Sequence, residues 1–487
     1  MFSENIEWVS CLYKETTSLY NGYIEIGFKS CYNQVTISSH SQRNYLMTHQ
    51  QDIFAHRYTI MRSIGQGAMG IVYEAHDRLT DETVALKQLH PQGKNLYDIT
   101  TLSESLAREF HILASLKHPN IITVKHFGFD DDNTPYFTMS LIKSPQDILT
   151  ATHGLSLERK IVFLLDILQG IWYLHRQKLL HRDLKPSNVV IDEQNQLRVL
   201  DFGLSSPEAS ASGVAGTLAY LAPEVLRSEQ ASIGSDLYSF GVIAYEVLAE
   251  TNLYEESSIS SIIRKILYTP PNIEKLTAPT ALQLVIQRLL LKNPQDRYTD
   301  ARQVILALCD AVNLPHPNDL AVRDSFLKTA RFVGRQDEFA QLRNGLRDTQ
   351  EKQGSSWVIS GESGVGKSRL IQELRIQAMV EGYQVLTGRG VENGGLFRVF
   401  RDILAPLLLS TPVTTHQTAL LSSVVPDAPR LTKHDISTFP KDQEGQIDTI
   451  IKDIILQQNQ PMLIILEDIH WATESLALIR DIQKAIY

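Results

Sequence analysis

The sequence predicts an α+β fold: a small β-rich lobe, a larger α-rich lobe and, after a linker, part of an α/β unit. Three observations carry this expectation. Residues 58–140 alternate in short β-branched runs, the period-two signature of strands. Residues 156–312 change to longer amphipathic stretches at helical spacing, among them 157–175, 236–250 and 280–291. From Arg331 onward the order becomes strand, glycine turn and helix, the opening of a wound α/β sheet.

Composition narrows the class. The chain has 487 residues, more than one small core holds at about 150 residues per domain. Hydrophobic residues make up 43% and charged residues 21%, so most of the chain is expected to fold. The net charge is −9, from 46 basic and 55 acidic residues, and no global basic field draws the chain to nucleic acid or an anionic membrane. An anion must therefore be held by local chemistry. The cysteines are Cys11, Cys31 and Cys309, an odd set without Cys-x-x-Cys spacing, which points away from a disulfide framework and a zinc knuckle. The most apolar stretches are interrupted by Asp166 and Arg288 and fall short of the ~20 residues a spanning helix needs. A cytoplasmic location is expected.

Taken in order, residues 1–57 are rich in Ser, Tyr, Asn and Gln, with a strand-like patch at 23–28, and form an N-terminal extension without recognisable chemistry. The motif Gly65-Gln66-Gly67-Ala68-Met69-Gly70 follows, and the run Ile71-Val72-Tyr73-Glu74-Ala75 after it alternates as a strand does. The glycine loop therefore joins two strands and does not open a helix, so a flap over phosphates is the expected use. Val84-Ala85-Leu86-Lys87 places a lysine on an apolar strand, which calls for a partner such as Glu109 on the amphipathic stretch near 107–113. His181-Arg182-Asp183-Leu184-Lys185-Pro186-Ser187-Asn188 and Val199-Leu200-Asp201-Phe202-Gly203 then present two carboxylates and an amide toward one cleft, the donors of metal and proton chemistry.

In order and spacing this set resembles the eukaryotic-type serine/threonine protein kinases, whose motifs serve as a general template for phosphoryl transfer. The resemblance covers residues 58–312 and implies the bilobal protein-kinase fold, ATP and Mg2+ as cofactors, and protein substrates with Ser or Thr acceptors. Carried over by position, Ile64, Gly65, Gly67, Gly70, Val72, Ala85, Lys87 and Met139 would bind ATP, and Lys87 would pair with Glu109. Asp183 would accept the hydroxyl proton, Lys185 would neutralise the moving phosphoryl group, Asn188 and Asp201 would hold magnesium, and Thr217 would line the acceptor site. Lys185 resembles the serine/threonine class more than the tyrosine class. Glu224 with Arg297, and Asp236, match structural braces of the larger lobe. Ser140 stands where an acidic residue is common. Arg182 before Asp183 resembles kinases controlled by phosphorylation, with Ser205, Ser206, Ser210 and Ser212 as candidate acceptors, so autophosphorylation is among the expectations.

The stretch Leu314-Pro-His-Pro-Asn-Asp opens a linker over 313–330. Beyond it, Gly361-Glu362-Ser363-Gly364-Val365-Gly366-Lys367-Ser368 lies between an apolar strand and a helix. In that setting backbone N–H groups cradle phosphates, Lys367 reaches the β/γ-phosphates and Ser368 ligates magnesium, with Gly361 and Gly366 giving the loop its shape. The apolar run 462–466 ends in Glu467 and Asp468, an acid pair suited to magnesium and an attacking water. With Arg331-Phe332-Val333-Gly334-Arg335 before and Ile469-His470-Trp471-Ala472 after, residues 331–487 resemble the AAA-like, STAND-type signalling ATPases found fused to bacterial kinases. The pair is Glu-Asp where many relatives carry Asp-Asp, which leaves open which acid serves the metal. Strands are expected only near 357, 384 and 463, fewer than the five such a sheet usually has, so a partial P-loop NTPase domain is expected, with hydrolysis less expected than binding. Two rival readings are a non-catalytic pseudokinase scaffold, against which the full set of motif residues weighs, and a nucleotide switch with an accessory kinase.

Overall fold

The computed structural model describes residues 7–12, 53–67, 70–89, 116–130, 134–200, 218–254, 258–316, 334–350, 354–362, 364–436 and 444–486. Two compact units separate: residues 62–75 and 83–334 form one, and the stretches up to 61, 76–82 and from 335 form the other. Among the described residues no helix is long and apolar enough to cross a membrane. Strand β1 (Glu7–Leu12) belongs to the second unit.

A six-stranded sheet is built from β2 (Ile53–Phe54), β3 (Tyr58–Gly67), β4 (Gly70–Asp77), β5 (Glu82–Leu89), β6 (Val124–Phe129) and β7 (Pro135–Ser140), in the order β2-β3-β4-β5-β7-β6. The glycine motif does join two strands, β3 and β4, as its flanking alternation predicts. Antiparallel pairing of β5 with β7 sets Ala85 opposite Met139 and Lys87 opposite Phe137. A small sheet follows, β10-β9-β8, made of β8 (Gln146–Asp147), β9 (Val189–Ile191) and β10 (Leu197–Val199).

Helices dominate after residue 148. Leu157–Arg176 has Glu158 in its first turn and His175 and Arg176 in its last, the charge order that the helix dipole favours. Its buried set, which includes Ile161, Leu164, Ile167, Leu168, Ile171 and Tyr173, is broad enough to make it a core helix. Ile233–Ala249 is buried without a break from Ser235 to Leu248, so each polar group it carries needs an internal partner. The helices at 157–176, 233–249 and 280–289 occupy the three stretches where the sequence pattern places them.

Asp166 on the first of these helices carries a testable cost. Burial pushes its carboxyl up to about 6, and Arg198 only partly opposes this. The folded chain then holds that proton more tightly than an unfolded chain, whose aspartate titrates near 3.8. Stability from this group is therefore lost as pH rises through about 4 to 6, and the penalty is complete above that window. Asp166→Asn is expected to stabilise the unit by about 2 kcal/mol near pH 8 and about half as much near pH 5. Urea denaturation at both values checks this; an equal gain at the two would count against it.

The second unit holds a four-stranded sheet in the order β11-β1-β13-β12, with β11 (Ser355–Ile359), β12 (Gln384–Arg389) and β13 (Met462–Glu467) where the sequence predicts strands. Strand β13 is buried from Met462 to Leu466, as a central strand covered on both faces should be. Phe400, Ile403, Leu404, Leu407, Ile451 and Ile455 pack with Ile464 and Leu466 in the core beside it. The fourth strand, β1, differs from expectation, because the N-terminal stretch shows no signal that separates a sheet strand from a polar appendage.

Candidate functional site

The catalytic-loop candidates converge on one carboxylate. Lys185 Nζ lies 2.8 Å from Asp183 Oδ2. The Asn188 side-chain amide donates to Asp183 Oδ2 at 3.1 Å and to the Asp183 carbonyl at 2.8 Å. Asp183 and Lys185 remain partly open to solvent, with side-chain exposures of 29% and 23%, whereas Asn188 is buried. A carboxylate, an ammonium and an amide thus share one small, accessible volume.

Neighbouring groups fix this loop from behind. Asp236, at the start of the buried helix, accepts the backbone N–H groups of His181 at 2.8 Å and Arg182 at 2.9 Å, and His175 Nε2 lies 2.9 Å from the same carboxylate. Burial raises the Asp236 carboxyl, but the bonds from His175 and the loop outweigh it and hold the group below its usual range. His181 is fully buried; the Asp183 N–H lies 3.3 Å from its Nδ1, and its Nε2 faces the Leu200 carbonyl at 3.1 Å. Leu200 N–H donates to the Asn188 carbonyl at 2.8 Å, closing the loop against the strand that leads to residue 201.

The segment after residue 217 is anchored to the same helix. Tyr220 donates its hydroxyl to Glu246 at 2.7 Å, Leu253 N–H meets the other carboxylate oxygen at 3.1 Å, and Ser239 Oγ donates to the Tyr220 carbonyl at 2.7 Å. Burial raises the Glu246 carboxyl, and these donors offset part of that cost. The sequence reading missed Glu246; its signal is a carboxylate inside the apolar run 240–248, which demands a partner. Glu224 and Arg297 form the buried pair that was expected, with two bonds of 2.8 Å.

On the sheet, Lys87 is 8% exposed, and its ammonium lies over the Phe137 ring at 5.8 Å from the centroid. Ala85 is buried, Val72 and Met139 are half-buried, and Ile64 is 39% exposed. Gly70 has φ 148°, a conformation that costs a side chain dearly, so the glycine there is required by the backbone. Gly65 and Gly67 lie on β3. Glu109, Asp201 and Thr217, with Ser205, Ser206, Ser210, Ser212 and the patch 23–28, fall outside the described residues.

The second phosphate motif is assembled in the other unit. Gly366, at φ 94°, caps the helix Lys367–Val380, so the loop's left-handed turn delivers the helix N-terminus to the site. Lys367 is buried and donates to the carbonyls of Gly361 at 2.8 Å and Glu362 at 2.9 Å, while Ser368 is exposed in the first turn. Arg335 donates to the Val365 carbonyl at 3.2 Å. The acid pair at the end of β13 is engaged by two arginines that the sequence reading did not single out. Arg389 Nε lies 2.9 Å from Asp468 Oδ2, and Arg375, which donates to Thr387 Oγ1 at 2.7 Å, lies 3.8 Å from Glu467. Arg389 is the register partner of Glu467 across β12 and β13 and Arg375 lies on the helix Lys367–Val380, placements that no local sequence signal discloses.

Among the described residues no group of three His, Cys, Asp or Glu side chains stands ready for a metal. Magnesium needs less, because it commonly takes one or two protein oxygens and otherwise water and phosphate. Asn188 beside Asp183, and Ser368 with Glu467 or Asp468, are hard oxygen donors of the kind it prefers.

A family model described as protein kinase domain matches residues 58–308. The chain belongs to the protein kinase domain family. A second model, AAA ATPase domain, matches residues 331–485, so a kinase domain is followed by an AAA ATPase domain. The probable serine/threonine-protein kinase PknB of Lactococcus lactis is 29% identical over 273 residues, covering 54% of this chain and 43% of that one. The serine/threonine-protein kinase PrkC of Bacillus subtilis is 29% identical over 261 residues, covering 51% and 39%. The chain thus spans about two fifths of the length of these bacterial relatives. The mitogen-activated protein kinase HOG1 of Cochliobolus heterostrophus is 32% identical over 236 residues, covering 47% of this chain and 65% of that one. Among solved structures, the Mycobacterium tuberculosis PknI kinase domain aligns with a TM-score of 0.44 at 24% identity, covering 55% of this chain and all of that one.

Proposed function

We propose that this kinase-family chain transfers the γ-phosphate of ATP to serine or threonine hydroxyls of proteins, and that its AAA ATPase domain is a nucleotide-binding regulator of that activity. The domain division proposed is an extension over 1–57, the kinase over 58–312, a linker over 313–330 and the ATPase domain over 331–487. The observation that carries the reading is the Asp183 carboxylate, accessible and held between Lys185 and Asn188 on a loop fixed by Asp236.

In this reading Asp183 accepts the proton of the acceptor hydroxyl, and Lys185, already beside that carboxylate, neutralises charge on the moving phosphoryl group. Lys87 holds the nucleotide's phosphates under the glycine loop of β3 and β4, with Val72, Ala85 and Met139 around the base. Magnesium, held by Asn188 and Asp201, would screen the phosphate charge that the transition state spreads over its oxygens. The chain's own contribution is position: Asp236 and His181 keep the loop in place, and Glu246 holds the segment at Tyr220, without further ordering at the moment of reaction. In the second unit Lys367 exchanges its two backbone carbonyl partners for phosphate oxygens, and Ser368 with Glu467 or Asp468 serves the metal there. Ordinary substrates would be cytoplasmic proteins, and the chain itself is a candidate acceptor through Ser205, Ser206, Ser210 or Ser212.

The test is transfer of labelled γ-phosphate from magnesium ATP to a basic protein, followed by mapping of the modified residues. Serine and threonine labelling is expected, and because the kinase part is expected to carry the chemistry on its own, Lys367→Ala should retain basal transfer. Label confined to tyrosine, or none at all, would remove the serine/threonine reading; loss of transfer in Lys367→Ala would show that even basal transfer depends on nucleotide at the second site.

A further inference from the structure

We propose that the turn joining β4 to β5 is a grip point through which the ATPase-domain helix Ala428–Thr432 sets the affinity of the glycine-loop site for ATP. The turn is stiffened by its own first residue. The buried Asp77 carboxylate takes Arg57 Nε at 2.8 Å and Nη2 at 2.7 Å, the Leu79 N–H at 3.0 Å and the Thr80 hydroxyl at 3.1 Å. Asp81, at φ 60°, closes the turn by donating its N–H to the Asp77 carbonyl at 2.8 Å. Two successive carbonyls are then taken by one guanidinium: Arg430 donates to Arg78 at 2.5 Å and to Leu79 at 3.2 Å. In return Arg78 Nη2 donates to the Leu431 carbonyl at 3.2 Å, and its Nη1 to the His56 carbonyl at 2.8 Å. The planar fork of arginine suits adjacent carbonyls, and each bond is charge-assisted. Arg78 and Arg430 repel each other, and Asp81 and Asp427, 3.9 Å and 3.8 Å from Arg430, offset this. Leu79 packs against the hydrophobic core that contains Leu431. Residues 56–57, 77–81 and 428–431 all fall in one compact unit.

The same turn is the shared end of the two strands that carry the first phosphate site. Strand β4 runs from Gly70, the last glycine of the loop, to Asp77, and β5 runs from Glu82 through Ala85 and Lys87. At about 3.3 Å per residue, the grip lies roughly 15–25 Å along these strands from Lys87 and Gly70. That is too far to touch the nucleotide, and near enough for a two-stranded ribbon to carry a constraint. Residues 71–75 and 83–89 belong to the other compact unit, so each strand passes from one unit into the other at this turn. A free turn frays, and the adjoining ends of β4 and β5 fray with it. ATP must then order them as the glycine loop closes, whereas a gripped turn is ordered already; ATP therefore binds more tightly when the grip is made. By linkage, ATP in this site tightens the grip by the same factor. The contact is open to release, because the Arg430 and Asp81 side chains are 36% and 64% exposed and water competes for their partners. What would work the grip rests on the reading of the ATPase domain as a nucleotide-binding regulator; the grip itself rests on its contacts.

Amide exchange on the full chain tests this. Read over 70–75 and 83–89 during titration with magnesium ATP, it reports the first site alone; read over 77–82 and 428–434, it reports the grip. Arg430→Ala is expected to speed exchange over 77–82 at least about tenfold. It should also raise the ATP concentration that gives half-protection of the first site about fivefold or more. Arg430→Lys, a point charge without the fork, should fall between the parent and alanine. Saturating ATP should slow exchange over 428–434 in the parent and in Lys367→Ala, and not in Arg430→Ala. Turnover at saturating ATP should be unchanged, because Arg430 lies outside both phosphate motifs. Unchanged exchange over 77–82 in Arg430→Ala would overturn the grip, and faster exchange there with an unaltered ATP titration would overturn the coupling. Identical titrations of the parent and Lys367→Ala, with a shifted one for Arg430→Ala, would keep the grip and overturn control by nucleotide at the second site.

Discussion

Asp183→Asn is expected to lower turnover by about 10²–10⁴-fold, the range in which a positioned proton acceptor acts, or about 3–5 kcal/mol of barrier. Asparagine keeps the shape of the carboxylate but cannot accept the hydroxyl proton, and it leaves Lys185 without the partner now 2.8 Å away. The loop itself should persist, because its backbone is held by Asp236 through His181 and Arg182 and by His181 Nδ1, none of which needs the Asp183 side chain. Nucleotide affinity and thermal stability should therefore remain near those of the parent chain, since the residue is partly exposed and surface changes usually stay within about 0.5 kcal/mol. Steady-state kinetics with a Ser/Thr acceptor, paired with ATP titration, separates the two effects. Turnover above about a tenth of the parent value would remove Asp183 from the role of base. Absence of turnover in the parent chain itself is the result that would favour the scaffold reading, in which the motif residues are structural.

How far the sequence discloses this site depends on how local each arrangement is. Asp183, Lys185 and Asn188 lie within six consecutive residues, so the loop that joins them can be read directly. The glycine loop between β3 and β4 is legible for the same reason, because strand alternation on both sides excludes the helix that a dinucleotide fold would open. The Lys87 strand is legible by its apolar run, and its register with Phe137 is not, since cross-strand pairing is set by the whole sheet. Glu246 and Tyr220 are 26 positions apart and Arg389 and Asp468 are 79 apart; in each case a charged or phenolic group is visible and its partner is not. Strand β1 lies furthest out of reach. Six residues with ordinary strand propensity pair with two strands more than 340 positions away. Long-range backbone pairing leaves no local periodicity beyond that of any short strand, and it is this part of the fold that sequence reasoning loses.

Arg297→Met should be among the most damaging substitutions in the first unit, at about 3–5 kcal/mol. All five guanidinium donors of Arg297 are used: two on Glu224 at 2.8 Å each, and the others on the carbonyls of Leu291 at 2.7 Å, Gly234 at 2.8 Å and Lys292 at 3.2 Å. The Arg297 side chain is wholly buried and that of Glu224 nearly so. Burial raises the Glu224 carboxyl, and the Arg297 bonds, with a further one from Ser235 at 2.8 Å, more than reverse this and hold it below the usual glutamate range. Methionine fills the volume but strands a buried carboxylate and three carbonyls. Lysine, a point charge with three donors, cannot span the same set, so Arg297→Lys should recover only part of the loss. The double variant Glu224→Leu with Arg297→Met should be less stable than the parent, because the three carbonyls still lack donors, yet less damaged than the sum of the single changes, because no buried charge remains. Since the chain holds two compact units, a single melting curve would mix their transitions; amide exchange over Ile233–Ala249 reads this unit alone. A cost below about 1 kcal/mol for Arg297→Met, or strict additivity in the double variant, would show that the pair does not brace the lobe.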